Sequence, residues 1–110
     1  MPIVLRAAPD NLGCDALPTP WKFFVIRIDA FADDQVWAVN DTGGRMNTFW
    51  ERGFLGGTSA NPVVLDPDGQ VVARDGERID VPDAAWPELH GHFVCPSIDE
   101  IYILLAPFPD

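Results

Sequence analysis

The stretch NPVVLDPDGQVVARDGERIDV, from Asn61 to Val81, constrains this chain more than any other. It holds two tight-turn sequences between runs of β-branched residues, so it predicts three short antiparallel strands. In Asp66-Pro67-Asp68-Gly69, the Asp carboxylate can accept a backbone amide two residues on. Pro67 has its φ already set, and Gly69 tolerates the left-handed conformation of a bulge. Asp75-Gly76 suits a two-residue hairpin turn with positive φ. The turns set a register in which Asp66 opposes Gln70 and Arg74 opposes Glu77. That register predicts a row of Val64, Val72 and Ile79 on one face. Leu65, Val71, Val63 and Ala73 fall on the other. The third strand carries Arg78 and Asp80 toward water, as an edge strand does.

The rest of the chain follows the same period of two. Ile3 to Leu5 is a candidate first strand. Trp21 to Asp29 (WKFFVIRID) places Phe24, Ile26 and Ile28 on one side, with Phe23 and Val25 on the other. Gln35 to Asn40 and Met46 to Glu51 form a hairpin around Asp41-Thr42-Gly43-Gly44. Asp29 to Asp34 fits either a loop or a short capped helix. Residues 7–20 are turn-rich, and 53–61 form a Gly-rich connection. Residues 82–89 fit one helical turn limited by Pro87. His92 to Cys95 fits a brief strand. Ser97 to Ala106 carries two patterns. Ser97 with Glu100 resembles a capping box, whereas Ile101, Ile103 and Leu105 alternate as a strand; strand is the expectation.

The fold expected for residues 1–110 is therefore one mainly β domain, a small antiparallel β-barrel or two-layer sandwich of six to eight strands. It would be built from β-meander hairpins with at most one or two short helices. The alternative is α+β, with a C-terminal helix over 97–106. A hydrophobic content of 47% suits a packed core in a chain of 110 residues.

Charge narrows the function classes. The net charge is −10, with one Lys, and residues 62–110 carry −8 of it. Phosphate contacts need clustered cations, so nucleic acid and anionic membrane surfaces are disfavoured as partners. A basic protein partner is favoured by the field. No window is long and apolar enough for a membrane helix. Cys14 and Cys95 are the two cysteines. With no leader-like N-terminus, the expectation is a cytoplasmic protein with reduced thiols, a Cys14–Cys95 disulfide being the other outcome.

Several side-chain groups invite a chemical reading. His90-Gly91-His92 on a strand would point two imidazoles to one side, as metal ligands do. The pair resembles the His-x-His of cupin metal sites over three residues. No Glu follows at that motif's spacing, so no family is assigned. A nucleophilic Cys95 or Cys14 would need a neighbouring base. Asp66-Pro67-Asp68-Gly69 lacks the further acidic ligands of a calcium loop, and Gly53 to Gly57 lacks the Lys of a phosphate loop. Eight of the twelve aromatics lie between Trp21 and Phe54. Adjacent pairs such as Phe49-Trp50 must face opposite sides of a strand, so some rings line a second layer or an exposed face.

Three functions follow as expectations. The first is a non-enzymatic binding or interaction module for a protein partner, as small inhibitor or immunity proteins are, or a homodimer through an aromatic face. The second is a small-ligand-binding barrel with Trp37, Phe49 and Trp50 at the ligand. The third is a small metal-dependent protein using His90 and His92. No cofactor is implied by any motif.

Overall fold

The computed structural model describes residues 2–9, 21–82, 86–97 and 99–105. The described chain is all strand, ten in number, with no helix among the described residues. They are β1 (Phe23–Ile28), β2 (Val36–Asn40), β3 (Arg45–Trp50), β4 (Leu55–Thr58), β5 (Asn61–Leu65), β6 (Val71–Arg74), β7 (Arg78–Asp80), β8 (Glu88–Leu89), β9 (His92–Pro96) and β10 (Glu100–Ile103). Seven form one sheet in the order β7-β1-β2-β3-β10-β9-β8, and β4-β5-β6 form a small second sheet. The large sheet curls until its two end strands, β7 and β8, come into contact, so it is a nearly closed barrel. The mainly β expectation holds.

Alternation explains where the core lies. In β1, Phe24, Ile26 and Ile28 point inward, and Phe24 and Ile26 are fully buried. Ala38 of β2, Met46 and Trp50 of β3, Ile101 and Ile103 of β10, and Val94 of β9 join them. The small sheet adds Val64, Val72 and Ala73 to the same core. At about 25 cal/mol per Å² of apolar surface removed from water, this shared interior is the main favourable term of folding. The polar members are satisfied: Thr48 Oγ1 donates to the Val36 carbonyl and accepts from Trp50 Nε1, at 3.0 and 3.1 Å.

Most turns form as their residues dictate. Asp66 Oδ1 accepts the Asp68 and Gln70 amides, each at 2.9 Å. Asp66 opposes Gln70, and the Glu77 amide donates to the Arg74 carbonyl. Asn40 Oδ1 accepts from the Thr42 and Gly44 amides, closing the β2–β3 turn.

Four sequence expectations are corrected. First, β7 leaves the small sheet and pairs with β1, Phe24 opposite Ile79. Ile26 of β1 bonds both the Gly76 amide and the Glu77 carbonyl at 2.7 Å, and these bonds draw the chain across after the turn. Arg78 and Asp80 are exposed on an edge strand as expected, but the sheet is the other one. Second, the row of valines does not form. A register shift between Val64 and Leu65 leaves Leu65 opposite Val71 but pairs Val64 with Ala73, not Val72. Two consecutive residues, Val72 and Ala73, are buried as a result, which a bulge permits and a regular strand on a one-sided sheet does not.

Third, the Gly-rich connection is largely a strand, β4. Its glycines answer a close approach: a Cβ on Gly56 would collide with the Ile3 carbonyl, and one on Gly57 with the Asn61 carbonyl. Pro2 bridges Thr58, and the Ile3 amide donates to the Gly57 carbonyl at 2.9 Å, so residues 2 and 3 lie along β4, while Ile3 to Leu5 does not form the expected strand. Fourth, the C-terminal element is the expected strand, β10, but it runs parallel to β3 and not antiparallel, Tyr102 opposite Phe49. The alternative helix over 97–106 is absent from the described part of that segment, because the alternating Ile101 and Ile103 both reach the core. Residues 83–85, at the centre of the proposed helical turn, lie outside the described residues, and β8 follows them.

No helix among the described residues is long and apolar enough to cross a membrane.

Candidate interaction surface

The barrel's strands connect at one rim through the segment from Asp29 to Gln35, between β1 and β2. This segment is a tied turn. The Asp29 side chain accepts the Phe31 amide at 2.9 Å, and the Ala32 amide reaches the Asp29 carbonyl at 3.2 Å. The Asp29 amide donates to the Gln35 carbonyl at 2.9 Å, and Gln35 Nε2 donates to the Ala30 carbonyl at 2.8 Å. These bonds account for why Asp29 opens a turn and not a helix: its carboxylate meets the amide two residues on, the geometry of an Asx turn. Asp34 closes the far side. Its two oxygens lie 3.4 Å from Arg6 and 3.4 Å from Arg45.

The turn sorts its two central side chains. Ala30 is buried and plugs into the core, and Phe31 is driven outward to 80% exposure. Among the described aromatic residues it alone is exposed. Two other large apolar side chains share this condition, Val4 and Leu55. Val4 is joined to the turn directly, its amide donating to Gln35 Oε1 at 2.7 Å. Leu55 stands on β4, along which residues 2 and 3 run. Asp29 and Asp33 are exposed beside Phe31. The sequence contained one sign of this site, the order Asp-Ala-Phe-Ala-Asp-Asp.

The outward face of the large sheet is a second aromatic region. Trp37 and Phe49 are half-buried there, and Trp50 is not with them. It points into the core at 2% exposure and packs edge-on against Phe54 at 5.4 Å. The split is the strand's alternation, since Phe49 and Trp50 are neighbours on β3. Trp37 lies beneath the Arg45 guanidinium, 4.5 Å from the ring centre. Phe49 stacks on Tyr102 at 5.2 Å. The Tyr102 hydroxyl donates to the Glu100 carboxylate. That bond, then burial and the charges of Glu100 and Asp99, push the phenol up to about 12.

The two histidines serve different parts of the fold. His90 is not on a strand. It and Gly91 have φ of 49° and 84°, the double positive φ of a two-residue turn between β8 and β9. Its ring bonds Glu77 at 3.1 Å, across the seam between the barrel's end strands. His92, on β9, turns inward. A carbonyl only accepts, so Nδ1 carries the proton toward the Leu105 oxygen at 3.1 Å. Nε2 faces Asp66 at 3.8 Å, and the ring packs edge-on against Phe54. The two imidazoles thus take separate partners. Among the described residues no group of three or more His, Cys, Asp or Glu side chains is placed to hold a metal ion.

Cys95 is disulfide-bonded, against the expectation of reduced thiols. The chain's other cysteine, Cys14, lies outside the described residues.

Compared with protein-family models, with curated proteins and with solved structures, the chain matches none.

Proposed function

We propose that this protein is a non-enzymatic binding module for a basic protein partner. One observation carries the reading: Val4, Phe31 and Leu55 are exposed large apolar side chains on a chain of net charge −10. Scattered single apolar residues on a surface need no explanation. Here the Val4 amide is hydrogen-bonded to Gln35 of the turn that displays Phe31, and Asp29 and Asp33 are exposed on that same turn. Aromatic anchors with complementary charge around them are the usual energetic centre of a protein interface. The test is capture by the immobilised protein at low ionic strength. A basic protein retained there and released by raised salt supports the reading, and no retained protein removes it.

A second reading is favoured by the Phe49–Tyr102 stack beside Trp37 on the outward face. Half-buried aromatic planes of this kind suit a small planar ligand. Tryptophan fluorescence against a small-molecule library tests it, and a flat response removes it.

The disulfide at Cys95 supports an oxidising compartment over the cytoplasm that free thiols implied. Labelling of native protein with a thiol reagent, with and without reductant, checks this directly.

A further inference from the structure

We infer that the Asp29–Gln35 turn is a preformed anchor, and that Phe31 inserts into an apolar pocket rimmed by Lys or Arg on the partner. The inference rests on the protein-binding reading and adds the contact and its chemistry.

Three features of the turn support it. The backbone is held at both ends and across the middle, by the Asp29–Gln35, Phe31–Asp29, Ala32–Asp29 and Gln35–Ala30 bonds. Asp34 is clamped between Arg6 and Arg45, and Arg45 itself rests on Trp37. An anchor ordered before binding loses little conformational freedom on binding, which is where much affinity is otherwise spent. Ala30 is buried, so the turn cannot roll to hide Phe31 without pulling a side chain out of the core.

Charge identifies the occupant. Asp29 and Asp33 are exposed on either side of Phe31. The nearby cations Arg6 and Arg45 both face Asp34. A partner surface bearing carboxylates would meet repulsion here, and one bearing Lys or Arg around an apolar hollow would match both the ring and its flanks. A second copy of this chain is a poorer match, because it brings the same acidic turn and the same net charge.

The experiment uses the intact protein as bait for a displayed library of a small three-helix domain randomised over one face. Selection is run at low salt without steering toward any epitope. The expected binders carry Lys or Arg around apolar positions. Their affinity falls at least about thirtyfold with Phe31→Ala and about three- to tenfold with Asp33→Asn. Raised salt weakens binding to the wild-type protein more than to Asp33→Asn. Chemical denaturation of each variant, with an unchanged midpoint, shows that the loss is not unfolding.

Binders whose affinity Phe31→Ala leaves unchanged overturn this inference and leave the protein-binding reading standing. A library yielding no binder at low salt overturns the protein-binding reading, and this inference with it. Sedimentation showing a wild-type dimer that Phe31→Ala converts to monomer also overturns the inference, because the occupant is then a second copy.

Discussion

Two acidic turns of this molecule use the same local chemistry for opposite ends. At Asp29 a carboxylate accepts the amide of Phe31, two residues on. At Asp66 a carboxylate accepts the amides of Asp68 and Gln70. The first turn stands at a rim and displays an exposed ring. The second is folded in: Asp66 is 7% exposed, and its other oxygen faces His92. The lesson is that turn chemistry specifies a backbone bend and nothing about what the bend meets. Asp66 faces the barrel because β9 brings up His92, whose other ring nitrogen is held by the Leu105 carbonyl. Nothing comparable covers Phe31 among the described residues.

The comparison is most easily broken at Asp66. Asp66→Ala removes the acceptor of two amides and the acidic partner of a half-buried imidazole. It should cost about 2 kcal/mol, because two part-buried backbone amides lose their acceptor at once. Asp66→Asn keeps an amide-accepting oxygen and should lose about 1 kcal/mol. Equilibrium urea denaturation measures both. A loss at Asp66→Ala no greater than at Asp29→Ala would mean that the two turns are energetically alike.

A third acidic site, Asp99-Glu100, lies between these extremes and sharpens the contrast. Its carboxylate is neither displayed nor buried; it accepts the half-buried Tyr102 hydroxyl. Tyr102 is the sole tyrosine, so tyrosinate absorbance reports it alone. Its folded value is about 12 against an ordinary 10.0, raised first by the Glu100 bond. A raised value means the fold favours the neutral phenol. The contribution is therefore complete below pH 10 and is lost as pH climbs from 10 to 12. Glu100→Gln should bring the absorbance midpoint down toward 10. An unmoved midpoint would show that burial, not the carboxylate, sets it.

Smaller effects belong to the displayed turn. Asp29→Ala should cost about 1 kcal/mol, the usual loss when a capping-type acceptor is removed from backbone amides. Phe31→Ala should change stability by no more than about 0.5 kcal/mol, since the ring is exposed and buries little. A larger loss, read from the same urea curves, would mean that Phe31 packs on the fold and is not an anchor held out for a partner.

How much was legible in the sequence varies along the chain. The hairpins around Asp41-Gly44 and Asp66-Gly69 were readable, because their turn residues have few alternatives. The inward positions of β1 were readable from alternation alone. The site was mostly not. Phe31 is one of twelve aromatics, and its exposure depends on Gln35 and Asp34 being pulled toward Val4, Arg6 and Arg45. Those partners are distant in sequence, and no local pattern announces them. His90 and His92 show the same limit: their spacing implies a shared side only on a strand, and His90 lies in a turn.

By itself the sequence determined the class, many short strands with a single buried face in most, and the placement of the tightest turns. It did so because side-chain alternation and the positive φ of glycine are local properties. Tertiary structure decided which strands became neighbours. It moved β7 from β6 to β1, set β10 parallel to β3, and slipped Val64 opposite Ala73. Pairing partners far apart in the chain compete on total burial and on backbone bonds satisfied together. That competition is settled only when the whole sheet closes, and it is what leaves Phe31 outside.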